Sequence, residues 1–177
     1  MKNNTKKEIL NALNQLMQRY SFEKITVPMI IAQAGISKAT FYRHFKDKQE
    51  VLCSNFDLIL SKSLEKSHSL PDMLYHLALE YSRLGKRVGH EILQYAGDNN
   101  YTEYVKQRSL EFLRELSREY RSGNEMNEAE LFQCEILLSG IAHSIRLLTL
   151  NSTPQQKRRQ AEILAKMLPK EIAGITW

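Results

Sequence analysis

One glycine between two short apolar runs constrains this chain more than any other feature. Within residues 26–52 (TVPMIIAQAGISKATFYRHFKDKQEVL), Gly35 follows Ile30, Ile31 and Ala34, and Ser37 comes almost at once after it. Thr26 is a side chain that caps helices, and Pro28 falls in a first turn, where a missing N–H costs little. The helix begun there should stop at Gly35, the residue that best tolerates a left-handed C′ position. Ser37 can cap a second helix with almost no gap. Two short helices joined by a turn of about 3–4 residues outline a helix-turn-helix, whose second helix can enter a DNA major groove.

The flanking residues fit that outline. Ile9, Leu13, Leu16, Met17 and Tyr20 form one apolar stripe, predicting a first helix over 5–20 that covers the pair and begins in a Thr5/Glu8 capping box. Phe22 and Ile25 would close the corner that follows. Phe41 and Phe45, four apart, read as core of the second member. Its leading turn, Ser37, Lys38, Ala39 and Thr40, points at base edges by helix-turn-helix geometry. Lys38 can donate to guanine or phosphate, Thr40 to a base or phosphate, and Ala39 can touch a thymine methyl. Tyr42, Arg43, His44, Lys46 and Lys48, with the Thr26 hydroxyl, are expected on the phosphate backbone, where contacts position the protein rather than read sequence. Asp47 can cap the helix that follows.

Thr26, Val27, Ile30, Ala34-Gly35-Ile36-Ser37, Thr40-Phe41-Tyr42, His44-Phe45, Lys48 and Leu52 together resemble the DNA-binding signature of the TetR/AcrR family of bacterial transcription regulators. The run Phe-Tyr-x-His-Phe-x-x-Lys is its most specific part. Two residues depart from the family pattern: Ile31 stands where Ala is usual, and Met29 replaces an acidic residue. A slight shift in the packing of the helix pair is the expected consequence.

Charge points the same way. The net charge is +5, and residues 1–50 carry nine Lys/Arg against four acids, while the rest of the chain is balanced at sixteen of each. A basic head on a neutral body is the footprint of a polyanion-binding module. With seven Gly, four Pro and no alternating β-branched runs, the chain reads as all-α. The expectation is a three-helix head over 1–50 and a helical bundle over 51–177, a tetracycline-repressor-like arrangement by the resemblance. No secretory signal or membrane span is visible, since Glu135, His143 and Arg146 interrupt the most apolar stretch. Cys53 and Cys134 have neither metal spacing nor a disulfide framework. A cytoplasmic location follows as an expectation.

The body reads as helices over about 48–67, 72–84, 92–95, 101–120, 127–150 and 154–168. Leu138, Ile141, Ala142 and Ile145 line one side of the penultimate helix, and Ala161, Leu164, Ala165 and Leu168 line the last. The resemblance implies that these two helices pair with their copies in a homodimer; a purely intramolecular core is the alternative. It also implies a small-molecule effector whose binding releases operator DNA. Phe56, Leu60, Tyr81, Tyr95, Tyr104, Arg108 and Phe112 are candidate lining residues, although aromatics in a bundle also serve as plain core.

Catalytic motifs are scarce. Glu65-Lys66-Ser67-His68 has the Glu-x-x-His spacing of di-iron bundles but lacks a second copy. His90-Glu91 lacks the second His of a zincin, residues 85–89 lack the Gly-Lys-Ser/Thr of a phosphate loop, and Ser139-Gly140 has no nucleophile-elbow context. Neither metal nor cofactor is implied. The leading reading is a non-enzymatic, ligand-responsive, homodimeric repressor of a near-palindromic operator. A second is a same-fold activator or co-regulator controlled by a protein partner, which a pocket too small or too wet for a ligand would favour. A helical-bundle metalloenzyme is the remote third.

Overall fold

The computed structural model describes residues 2–85, 87–88, 92, 99–121, 124–150 and 152–177. Among these the fold is all-α. The head comprises α1 (Lys2–Met17), a 3-10 turn (Phe22–Lys24), α2 (Val27–Ala34) and α3 (Lys38–His44). The body comprises α4 (Lys48–Leu64), α5 (Leu70–Arg83), α6 (Asn99–Tyr120), α7 (Glu128–Leu150), α8 (Pro154–Met167) and the short α9 (Lys170–Ala173). No helix among the described residues is long and apolar enough to cross a membrane.

In the head, α1 buries Ile9, Leu10, Leu13, Leu16 and Met17 along one face, against α2 and α4. Phe22 and Ile25 fill the corner, and Ile30, Phe41 and Phe45 complete the core. Each such side chain contributes about 2–3 kcal/mol by leaving water. The α1 start differs from expectation. The helix is already under way at Thr5, and Glu8 accepts from Asn4 Nδ2 at 2.7 Å, so the capping box is absent.

Local chemistry sets the body's joints. Ser69 caps α5 with Pro71 in the first turn, so the helix starts two residues before the expected position. A reciprocal Thr153/Gln156 capping box with Pro154 opens α8. The chain end returns to the α4–α5 joint, where the Trp177 N–H donates to the His68 carbonyl at 3.1 Å and Thr176 bridges to Ser69. Nothing in the sequence periodicity predicts that return or α9.

Helix α8 packs mainly on α5. Across this seam the Arg158 guanidinium binds the Asp72 carboxylate and lies 3.9 Å from the centre of the Tyr75 ring. That hydrogen bond holds the Asp72 pKa below its ordinary value. A carboxylate whose pKa is depressed by folding stabilises the fold above its unfolded pKa of about 3.9, and loses that contribution as pH falls through the folded value. Thermal scans should therefore show a shallower acid limb for Asp72→Asn than for the parent protein below about pH 4. Identical limbs would mean that the ion pair does not contribute to acid stability.

Candidate nucleic-acid interface

The helix pair is built as its local sequence requires. Thr26 Oγ1 accepts from the Met29 N–H at 3.4 Å to cap α2, and Gly35 ends it at φ 66° and ψ 32°. A Cβ at Gly35 would touch nothing within 4 Å, so the demand for glycine comes from backbone conformation alone. Ser37 Oγ accepts from the Thr40 N–H at 3.1 Å and lies 2.9 Å from Thr40 Oγ1, capping α3. Ile31 is accommodated half-buried against the head core.

Phe41 and Phe45 turn α3 into the head and leave its opposite face to solvent. Ser37, Lys38, Ala39, Tyr42 and Arg43 are exposed there, with Thr40 and His44 half-buried. Tyr42 is 50% exposed and meets the Phe41 ring edge-on at 5.4 Å, which fixes its direction without hiding it. Thr26 and Lys46 are exposed as well. The surface therefore carries hydroxyls, a phenol and cations, held by a core that the same short helix helps to form.

Lys48 has a different environment from that expected of a backbone clamp. Its Nζ donates to the carbonyls of Phe22, Glu23 and Ile25 at 2.9, 3.1 and 2.8 Å, and lies 4.7 Å from the Phe22 ring centre. All three ammonium hydrogens are thereby engaged. Burial lowers its pKa, with the Glu23 charge opposing. Lys48 pins the first turn of α4 to the 3-10 corner. Next to it Asp47 caps α4 by accepting from the Glu50 N–H at 2.8 Å, and Glu50 accepts from the Lys46 N–H at 2.7 Å.

The head meets the body through amides. Asn14 on α1 and Asn55 on α4 exchange hydrogen bonds at 2.9 and 3.4 Å, with Asn55 buried. Gln18, just past α1, donates to the Leu84 carbonyl at the end of α5 at 2.7 Å. Both α4 and α5 thus hold the head directly.

A small, partly open cavity of about 50 Å³ lies among α4, α5, α6 and α7. Phe56, Leu60 and Phe112 line it as expected, and so do Leu138 and Leu168, which were assigned to a dimer face. The polar candidates lie elsewhere because their polar atoms have other partners. Tyr104 Oη donates to Asp57 Oδ2 at 2.7 Å, and Arg108 Nε lies 3.4 Å from Asp57 Oδ1. Tyr81 is buried and hydrogen-bonded to Tyr101, and burial pushes its hydroxyl up to about 12. Tyr95 lies outside the described residues.

The expected dimer residues also divide. Ala161 and Ala165 are buried within the chain on the helix that packs against α5, so neither can supply a free face; Leu164 is half-buried. The side chains of Ile141, Ala142 and Ile145 lie outside the described residues. What is exposed instead is Phe132 (63%) and Ile136 (57%) on α7, with Ile163 (52%) and Met167 (56%) on α8. Each pair is spaced i, i+4, the signal that could have identified it. Among the described residues no cluster of His, Cys, Asp or Glu is arranged to hold a metal. Burial pushes the Cys53 and Cys134 thiols up to about 11, away from reactive thiolate character.

Comparison with known proteins gives the same outline. Residues 9–53 match the family described as bacterial regulatory proteins, tetR family. The chain is 28% identical over 171 residues to the uncharacterized HTH-type transcriptional regulator YvkB of Bacillus subtilis (strain 168), covering 86% of this chain and 90% of that protein. It is 31% identical over 72 residues to YerO of the same organism, also an uncharacterized HTH-type regulator, covering 41% of this chain and a quarter (25%) of YerO. Among solved structures, the dihydroxyacetone kinase operon activator DhaS shares the fold at a TM-score of 0.63 and 20% identity, covering 93% of this chain and 96% of its own. A TetR regulator from Streptococcus agalactiae 2603V does so at 0.57 and 18%, covering 95% and 96%. The capped helix pair, its exposed α3 face and these matches converge: residues 9–53 carry the helix-turn-helix head of the bacterial regulatory proteins, tetR family, and the chain is similar along most of its length to an HTH-type transcriptional regulator.

Proposed function

We propose that the protein is a homodimeric repressor that binds a near-palindromic operator through residues 1–50 and receives its signal in residues 51–177. The observation that carries the reading is the α3 face, where Lys38, Ala39, Tyr42 and Arg43 stand exposed on a head holding the chain's whole positive excess. Lys38, Ala39 and Thr40 are the base readers; Thr26, Ser37, Tyr42, Arg43, His44 and Lys46 grip phosphates. Dimerisation uses Phe132, Ile136, Ile163 and Met167, because two exposed apolar i, i+4 pairs on consecutive helices leave apolar surface in water. Two copies would set their α3 helices about 34–36 Å apart, suiting half-sites one turn apart. The protein acts by occupancy of DNA rather than by catalysis.

Binding to sequences selected from random duplexes tests the head. Lys38→Ala should relax preference at one base pair per half-site and cost about 1–2 kcal/mol there. Arg43→Ala should weaken all duplexes alike and reduce the salt slope by about one per head. If both variants keep the parent's preference and slope, the recognition surface is elsewhere.

Signal reception must bias the α4 and α5 contacts to the head, at Asn55 and Leu84. A cavity of about 50 Å³ is far below the 300 Å³ or more of ordinary ligand sites. A ligand there needs the cavity to widen; control by a protein partner is the second reading, and the same fold also serves a protein named as an operon activator. At this cavity a ligand would act by widening it, and moving α5 against α4 is the displacement that would reach the head. Titrating the operator complex with cell metabolites, and separately with cell proteins, distinguishes the two: release by small molecules alone supports the first.

A further inference from the structure

The cavity's walls specify a ligand more closely than its volume does. Its described lining is apolar except for Lys106 and Ser109, which share one face of α6 at i, i+3. None of those residues is acidic, so a cationic ligand would be buried without a counter-charge, at a cost of several kcal/mol. Lys106 is 28% exposed, and its Nζ lies 3.8 Å from Glu103 Oε2, a loose pair with a carboxylate that is itself 52% exposed. That ammonium can exchange its partner for a better-placed anion and gain a charge-assisted hydrogen bond. Ser109, one helical turn further on, offers a hydroxyl donor. The tyrosine hydroxyls that might have bound a polar ligand are held by Asp57 and by each other. Met73, flexible and unbranched, is the wall residue best able to move aside.

We propose that this cavity opens to take an apolar monocarboxylate, its chain between Phe56, Met73 and Phe112 and its carboxylate on Lys106 and Ser109; this rests on the reading that the body receives a small-molecule signal. Because the cavity holds about 50 Å³ in this structure, entry would displace Met73 and part α5 from α4. Val105, Lys106 and Ser109 sit on the same helix as Tyr104 and Arg108, which clasp Asp57 of α4, so the ligand would also load that clasp.

Octanoate, octanol and octylammonium, titrated calorimetrically into the full-length protein below their micelle concentrations, test the assignment. Octanoate should bind at least about tenfold tighter than octanol, as a charged hydrogen bond implies, and octylammonium should not bind. Lys106→Met should bring octanoate down to the level of octanol or below it while octanol is unchanged; Lys106→Gln serves as the variant that keeps a polar group. Octylammonium equal to octanoate, an unchanged octanoate preference in both variants, or no octanoate binding would each overturn the ligand class. Operator affinity is measured separately by fluorescence anisotropy. Bound octanoate without operator release would uphold the site and overturn the ligand-responsive reading; absent octanoate binding with intact operator binding would overturn the site and leave the DNA reading standing.

Discussion

Aspartate at both Phe132 and Ile163 is expected to convert the protein to monomers and to weaken operator binding by about a hundredfold or more. Both side chains are more than half exposed in the single chain, at 63% and 52%, so their replacement removes little packing inside the protomer. Circular dichroism and melting temperature should stay close to the parent's. Association is another matter, since a buried unpaired carboxylate on each side of the interface costs several kcal/mol. The loss in operator affinity comes from geometry: once one head is bound, the second binds at high effective concentration, and such linkage raises affinity by about 10²–10⁴. Sedimentation velocity and anisotropy read the two effects in one preparation. Dimers of unchanged operator affinity would exclude this face as the interface.

The second large effect is expected from Lys48→Met, which keeps an unbranched side chain of similar length and removes the ammonium with its contact to the Phe22 ring. Three carbonyls, those of Phe22, Glu23 and Ile25, lose a charged donor together. Hydrogen bonds to a charged group contribute about 1.5–3 kcal/mol each when buried, and these carbonyls can partly recover water, so a net loss of about 2–3 kcal/mol is expected. For a chain of this length that lowers the melting temperature by about 5–10 °C. The slope of operator affinity against salt should hardly change, because no hydrogen of this ammonium is left for a phosphate. A backbone clamp would give the opposite pattern, with stability kept and the slope reduced by about one.

Much of the head was legible because its determinants are local. Thr26, Pro28, Gly35, Ser37 and Asp47 each act within four residues of their own position, and all five do in the structure what their side chains favour. Lys48 was read differently because its partners are 23 to 26 residues away, and nothing in spacing along a helix reports a distant carbonyl. In α8 the difficulty was a choice between two stripes. Ala161, Ala165 and Leu168 recur at helical spacing, and so do Ile163 and Met167; periodicity finds both without saying which turns inward. The small side chains let α8 approach α5 closely, which leaves the larger pair outside. For the cavity, aromatic character selected Tyr81 and Tyr104, whereas buried hydroxyls go where hydrogen-bond partners are. Asp57 and Tyr101 supplied those partners and drew both tyrosines off the cavity wall.

The central claim, a dimer reading two symmetric half-sites through α3, is tested most directly by selecting bound sequences from random duplex DNA and measuring stoichiometry on the winner. The account predicts an inverted repeat with half-site centres one helical turn apart, or a small multiple of it, occupied by two protomers at a time. An enriched site without two-fold symmetry, bound by a single protomer at full affinity, would contradict it.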